Sequence, residues 1–501
     1  MAKKDSRVKY NMISGFVYQV VFIALSFILP RLYLDNFGSE VNGVLSTIKQ
    51  VFFYLVLLEA GVGLATTQAL YKPIAENRYN DANAILAATR KYYFKTGAIY
   101  SVIVLVIAGV YGFVIPTGIN SFTVFGIVVL TGVPSIFSFF VQAKYRILMD
   151  VDGRKYVITN SETVFQFVAN VSKILILYLT DSLILIYLVF CILNLIQMAY
   201  ICVYARRQYK WLDFKVKPDY KAISQKESVL IHQLSGMVFN NTDVLLLSVM
   251  CDFAVVSVYT IYSLFFTQIQ NFITSITSGI SFALGQMFHV DRRKFDKIFS
   301  MYETLFIMCS FVIFTLMAVF LLPIIQLYTV GIDDAEYTNP MLLILFVIMN
   351  LLANGKLPIS QVVDYSGDFK NTRKFAIIEM TLNISLSIVG ILLWGVCGAI
   401  FGSVMALVFR GIVMIYYVNK KVLGRSQMKT YKLWIINGLV FALIMAIFYV
   451  DKFSGVGFID LILKGLIHAP WIVVLYIAIN FIFQRSAFRT LFEILKGDEK
   501  I

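Results

Sequence analysis

Apolar runs of about 20 residues recur along the whole chain, and a run of that length crosses about 30 Å of hydrocarbon at 1.5 Å per helical residue. Fourteen are legible in the 501 residues, near 11–31, 44–70, 96–115, 122–142, 157–179, 183–205, 229–250, 256–285, 302–325, 340–358, 374–394, 396–418, 433–450 and 460–483. A soluble protein of this length needs a charged exterior, whereas 59% of these residues are hydrophobic and only 14% are charged. The expected class is an all-α polytopic membrane protein with about 14 transmembrane helices.

The distribution of basic residues predicts the orientation. All but six of the 43 Lys and Arg fall in alternate connections or at the termini; the six are Arg31, Lys49, Lys173, Arg410, Lys452 and Lys464. The other connections carry Asp35, Glu40, Asp252, Asp333, Asp334, Glu336 and Asp451. This is the positive-inside asymmetry, and it predicts an even number of spans with both termini cytoplasmic. The net charge of +14 is thus a topology signal, and no basic domain or nucleic-acid-binding motif accompanies it. The apolar run behind the basic N-terminus is long and lacks a small-residue cleavage site, so it reads as a retained first helix. Its connection to the second helix reads as a loop of about a dozen residues.

An internal repeat is suggested by Ser14-Gly15-Phe16-Val17-Tyr18-Gln19 in the first run and Ser235-Gly236-Met237-Val238-Phe239-Asn240 in the seventh. Six spans separate them, so the two halves would share one orientation. Parallel six-helix repeats place a substrate site between halves that rock to alternate access. The expected organisation is a six-helix lobe at 1–205, a basic cytoplasmic linker at 206–228, a second six-helix lobe at 229–420, and two further helices with a cytoplasmic tail at 421–501.

Charges within spans are costly, about 2.5–3.5 kcal/mol each at a helix centre on insertion scales, and each is a functional candidate. Arg31, Lys49 and Lys173 sit near the outer ends of their helices, where each can snorkel to the interface. Together they place three cations at one depth, which suits a cavity receiving phosphate. Arg410 lies about eight residues from the inner end of its helix. Glu59 is near mid-span, and Asn240-Asn241-Thr242-Asp243 puts four polar residues in succession in the seventh helix. That run should face a partner helix or a wet cavity, through interhelical hydrogen bonding or through contact with substrate or a coupling ion. Glu379, a turn or two from the inner surface, reads as structural.

Other chemistry is weakly supported. No GxxxxGK[ST] loop is present. Gly61-Val62-Gly63 falls within a membrane helix and reads as close packing. Asp150-Val151-Asp152 has DxD spacing but lies in a short inner loop without a nucleotide fold. The five cysteines show no CxxC or Cys/His cluster. No enzyme activity, metal or cofactor is expected.

Several segments resemble the Wzx-type polysaccharide and oligosaccharide flippases of the MATE-like (multidrug/oligosaccharidyl-lipid/polysaccharide, MOP) superfamily, in their Gram-positive form. They are the Ser14-Gly15 helix ending in Pro30-Arg31-Leu32-Tyr33, the turn Phe37-Gly38-Ser39-Glu40-Val41-Asn42-Gly43, and Leu58-Glu59-Ala60-Gly61-Val62-Gly63-Leu64-Ala65. Asn240-Asn241-Thr242-Asp243-Val244-Leu245-Leu246-Leu247-Ser248 and Val258-Tyr259 complete the pattern. The resemblance implies two six-helix lobes around a central cavity. It also implies export of undecaprenyl-pyrophosphate-linked sugar repeats across a bacterial plasma membrane, with Arg31 holding pyrophosphate. The last two helices depart from the twelve-span pattern of many members. The partners expected are the lipid-linked oligosaccharide, membrane lipids and a coupling cation, H+ or Na+, with no nucleic acid. Asp243 or Glu59 would be the coupling acid, and Arg31, Lys49, Lys173 and Arg410 the anion clamp. A multidrug or cation antiporter should instead have an acid-dominated cavity, and a polysaccharide polymerase needs a sizeable outer loop that this chain lacks.

Overall fold

A computed structural model describes residues 2–55, 57–180, 182–223, 242–450 and 457–495. These residues are helical almost throughout: α1 (Ala2–Leu55), α2 (Leu57–Ala75), α3 (Tyr79–Gly109), α4 (Ser121–Phe137), α5 (Ala143–Val151), α6 (Lys155–Leu179) and α7 (Leu183–Gln208) come first. A helical stretch at 242–250 (α8) is followed by α9 (Phe253–Val290), α10 (Arg292–Tyr328), α11 (Pro340–Gly355), α12 (Leu357–Ser366) and α13 (Phe369–Tyr417). The chain then forms α14 (Met428–Val450), α15 (Phe458–Phe483) and α16 (Arg485–Leu495). Ten helical segments among the described residues are long and apolar enough to cross a membrane. Large aliphatic side chains such as Leu392, Leu439 and Ile467 lie exposed on them, as lipid-facing residues must. The fold is that of a polytopic helical membrane protein.

Two helices are interrupted at glycines. In α1 the backbone breaks at Gly38 (φ 78°, ψ −179°), and in α13 at Trp394 and Gly395 (φ 57°, ψ −133°). Both glycines occupy the positive-φ region that L side chains avoid. The loop expected after the first run is therefore not a loop of a dozen residues. Helix continues from Arg31 to Phe37 and resumes at Ser39, so Arg31 sits about two turns before the bend rather than at a helix end. Beyond the α13 bend the two arms touch backbone to backbone, because a Cβ on Gly398 would strike Gly390. Ser387 bonds across the same hairpin to the Ala399 carbonyl at 2.8 Å. Short π-helical turns at Val110–Val114, Ser138–Gln142 and Val418–Val422 re-aim the helices they join.

The described residues form two compact units, one drawn from Met1–Asn241 with Asp252–Ser257, the other from Thr242–Cys251 with Val258–Ile501. In unit 1, α1 packs on α6, α6 on α7, and α2 on α3 and α5. Asn42 donates to Ser257 Oγ at 2.7 Å, tying the start of α9 to this unit. The segment after α7 is not a free linker where it is described. Trp211 stacks on Tyr79 with centroids 4.5 Å apart, Asn83 bonds to the Trp211 carbonyl and the Asp213 amide, and the Asp219 amide reaches Ala84 O.

In unit 2, α10 packs on α11, α14, α15 and α16. Glu303, 1% exposed, accepts from Arg425 and Thr430, which pins the connection before α14. Asn437 and Asn480 exchange amide hydrogen bonds between α14 and α15. The terminal segment expected as a tail contains α16, whose Ala487, Leu491 and Ile494 join a core cluster with Phe295, Ile298 and Phe299. Its opposite face carries Glu493, held by Lys297 at 2.8 Å and by Arg489 at 3.0 Å.

Substituting Gly398→Ala forces the two arms of α13 apart. A cost of about 1–3 kcal/mol, the usual range for overpacking, is expected as a lower melting temperature in detergent. An unchanged melting curve would show that the hairpin tolerates separation.

A buried acid, two lysines and an ion triad

Unit 1 carries Lys49 on α1 and Lys173 on α6. Lys173, on α6, points its ammonium over the Phe190 ring of α7, 4.1 Å from the centroid. Lys49, on the second arm of α1, lies close enough for its charge to act on Lys173. Neither lysine has an ion-pair partner among the described residues, and Lys49 is exposed. Buried Tyr33 of α1 and Tyr187 of α7 lie within electrostatic range of one another. The Phe190 face holds the Lys173 ammonium, a contact worth about 2 kcal/mol when desolvated, and the repulsion between the two lysines favours an anion beside them. Arg31 is differently placed: its guanidinium meets Asp35 one turn on at 2.8 Å, with side chains 27% and 40% exposed. Such a pair is worth little, about 0.3–0.5 kcal/mol on a helix surface, and opens at small cost.

Unit 2 contains the opposite arrangement. Asp243 of α8 is 7% exposed and accepts hydrogen bonds from Tyr259 Oη at 3.2 Å and Ser403 Oγ at 3.1 Å. Asn383, on the other arm of α13, donates to Ser403 Oγ at 2.7 Å, and its own Oδ1 is buried without a hydrogen-bond partner among the described residues. No Lys, Arg or His pairs with Asp243 among the described residues. A buried carboxylate with only neutral partners is expensive while ionised, so it is stabilised by taking a proton or by sharing a small cation with the oxygens around it. The tight α13 hairpin positions this group, because Asn383 and Ser403 face each other only when its two arms touch.

Arg410 also belongs to unit 2, and it is not free. It approaches Glu379 at 3.4 Å and donates to the Thr372 carbonyl at 3.2 Å. Lys356, at the end of α11, bonds to the same carboxylate at 2.8 Å. Two cations share one acid here, with side chains 21%, 14% and 9% exposed for Lys356, Arg410 and Glu379. Of the four cations expected as one clamp, Lys49 and Lys173 lie together in unit 1, Arg31 pairs with Asp35 on the first arm of α1, and Arg410 belongs to the triad of unit 2.

Glu59 lies on α2, but its side chain falls outside the described residues, as do Asn240, Asn241 and the second copy of the suggested repeat. Asp152, of the DxD sequence, bonds to Arg154 at 2.7 Å and to Tyr209 at 2.9 Å. Sequence reading did not find the hydroxyls that surround Asp243, nor Lys356, which counts among inner-loop charges. Ser and Thr recur in nearly every span, so only the fold distinguishes those that meet Asp243.

No family model matches the sequence, and no curated protein matches it. Solved structures do. The lipid II flippase MurJ, in an inward closed conformation, superposes with a TM-score of 0.70 at 15% identity, covering 96% of this chain and all of that one. The chain shares the fold of that structure. An inward-facing multidrug resistance MATE family transporter of the MOP superfamily matches with a TM-score of 0.59 at 13% identity, covering 83% of this chain and 95% of its own. A MOP superfamily transporter from Pyrococcus furiosus, noted for the reversed polarity of its binding pocket, matches with a TM-score of 0.60 at 13% identity, covering 84% and 97%. Each match spans both units of this chain.

Replacing Glu379 by Gln leaves Lys356 and Arg410 without their shared acid. Breaking a buried ion pair by removing one partner costs about 3–5 kcal/mol, so Glu379→Gln should show a sharply lowered melting temperature and yield. A wild-type melt would mean that solvent reaches the two cations and compensates them.

Proposed function

We propose that this protein is a flippase that moves undecaprenyl-pyrophosphate-linked oligosaccharide repeats from the inner to the outer leaflet of a bacterial cytoplasmic membrane, for cell-surface polysaccharide synthesis. The observation that carries the reading is the Lys49–Lys173 pair: two cations without acid partners among the described residues, on a fold shared with a lipid-linked precursor flippase. A pyrophosphate brings a dense negative charge whose desolvation must be offset, and charge-assisted bonds to ammonium groups do so. Arg31, whose ion pair with Asp35 is half-exposed, joins the clamp by exchanging that carboxylate for phosphate oxygens. Arg410 joins from its triad, where two cations already exceed one acid.

The lobes at 1–205 and 229–420 rock about the substrate, joined by the basic segment at 206–228, with both termini cytoplasmic. Asp243 is the coupling acid. Its proton or Na+ neutralises a carboxylate that otherwise has hydroxyl partners alone. Coupling requires that cation to bind the two access states unequally, since only differential affinity shifts an equilibrium. Asn240, Asn241 and Glu59 complete the polar lining. Multidrug antiport is the second reading; the uncompensated Asp243 in unit 2 is the observation that favours it.

The test is the leaflet distribution of lipid-linked sugars in depleted cells, read with a membrane-impermeant probe. Lipid-linked repeats should accumulate on the inner leaflet and be cleared by the wild-type protein. Lys49→Ala and Lys173→Ala should each lower that clearance about 10- to 100-fold, the equivalent of about 1.5–3 kcal/mol of a charged hydrogen bond. Asp243→Asn should abolish its dependence on the ion gradient. Unaltered lipid-linked sugars together with changed drug tolerance would move the assignment to an antiporter.

A further inference from the structure

Three basic side chains converge at the end of unit 1 that carries the basic connections. Arg90 comes from α3, Lys144 from α5 and Arg206 from the last turn of α7. Two rings lie between them. The Phe214 centroid is 5.5 Å from Arg90 Cζ and 5.6 Å from Lys144 Nζ. The Tyr145 centroid is 5.0 Å from Lys144 Nζ, while its hydroxyl accepts from Arg206 Nε at 3.2 Å. The charges of Arg90 and Arg206 both act on Lys144.

None of the three has an ion-pair partner among the described residues. Lys144 is only 8% exposed, and its ammonium, with three hydrogens to donate, makes one hydrogen bond among the described residues, to the Phe140 carbonyl at 3.2 Å. Nearby acids in the sequence have other partners: Asp213 accepts from the Lys215 amide, Asp150 lies 3.9 Å from Lys155, and Asp152 accepts from Arg154 and Tyr209. A buried ammonium flanked by two guanidinium groups is self-repelling, and the rings compensate it only in part. An oxyanion with several acceptor oxygens would bond to all three cations at once.

Depth identifies the source of that anion. Lys144 and Arg206 directly follow the apolar runs at 122–142 and 183–205, and Arg90 precedes the run at 96–115 by six residues, about 9 Å of helix. All three therefore sit at headgroup level, where basic pockets between helices recognise acidic lipids. We propose that Arg90, Lys144 and Arg206, with Phe214 and Tyr145 between them, form a phosphate-oxyanion site that takes the headgroup of an acidic phospholipid. Phe214 makes the segment after α7 part of the site, so a bound lipid also holds that segment against unit 1. The site stands independently of the transported substrate.

Native mass spectrometry of the full-length protein tests the assignment, with phosphatidylglycerol titrated against phosphatidylcholine of the same acyl chains. The wild-type protein should retain phosphatidylglycerol preferentially, and Arg90→Gln with Arg206→Gln should weaken that retention at least about ten-fold, with an effect that shrinks as salt rises. Both substituted residues are exposed, so equal melting of wild type and variant in phosphatidylcholine should accompany the loss and exclude misfolding as its cause. Displacement of the lipid by millimolar inorganic phosphate would keep the oxyanion cage and assign it to a soluble anion. Equal retention of both lipids by wild type and variant, with no phosphate effect, would overturn the site.

Discussion

Removing an ion from water costs more than almost any single contact returns, and the interior of this protein is arranged around that cost. Glu303 is buried because Arg425 and Thr430 both reach it, and in doing so it fixes the connection that leads into the last two long helices. Glu379 is buried between Lys356 and Arg410. Where no countercharge is present the substitutes are visible: an aromatic face beneath Lys173 and hydroxyl groups around Asp243. These are the places where the protein has left charge for something else to complete.

The two units leave opposite charges incomplete. Among the described residues, Lys49 and Lys173 of unit 1 and Asp243 of unit 2 have no ion-pair partner, so an anion and a cation would be bound by different side chains without competing. A single acidic cavity, the arrangement suited to cationic drugs, would place both ligands on one group. Separate sites permit linkage in place of exchange: each ligand alters the affinity for the other only through the states that the protein adopts.

Much of this architecture is legible in the sequence, because a membrane span is a local property. Twenty consecutive apolar residues declare a helix whatever they pack against, and the alternation of basic and acidic connections predicts its direction. The break between the runs ending at 394 and starting at 396 is legible too, and Gly395 makes that turn. At Gly38 the sequence predicts a loop, whereas the helix resumes after a single residue. The last helix, α16, is too short and too amphipathic to appear as an apolar run, although Phe488, Leu491 and Leu495 recur at helical spacing. The candidate site is legible only as positions. Asp243 stands out because four polar residues in a row are conspicuous in a span, yet its partner Ser403 lies 160 residues away, and no local pattern connects them.

That distance also explains why the α13 hairpin matters to the chemistry. Asn383 and Ser403 lie on opposite arms, and their 2.7 Å bond exists because Gly390 and Gly398 let the arms close. A proton or cation arriving at Asp243 changes the charge seen by Tyr259 of α9 and Ser403 of α13 in one step, because both donate to that carboxylate. With Asp243 ionised, both hydroxyls are held as donors to it. Once it is neutralised, that demand weakens, and either hydroxyl can turn to a backbone carbonyl such as that of Ala399, 3.5 Å from Ser403 Oγ. Asp243 therefore joins the packing of three helices to the charge state of one oxygen cluster, the kind of two-state element that an ion would have to bias in the proposed mechanism.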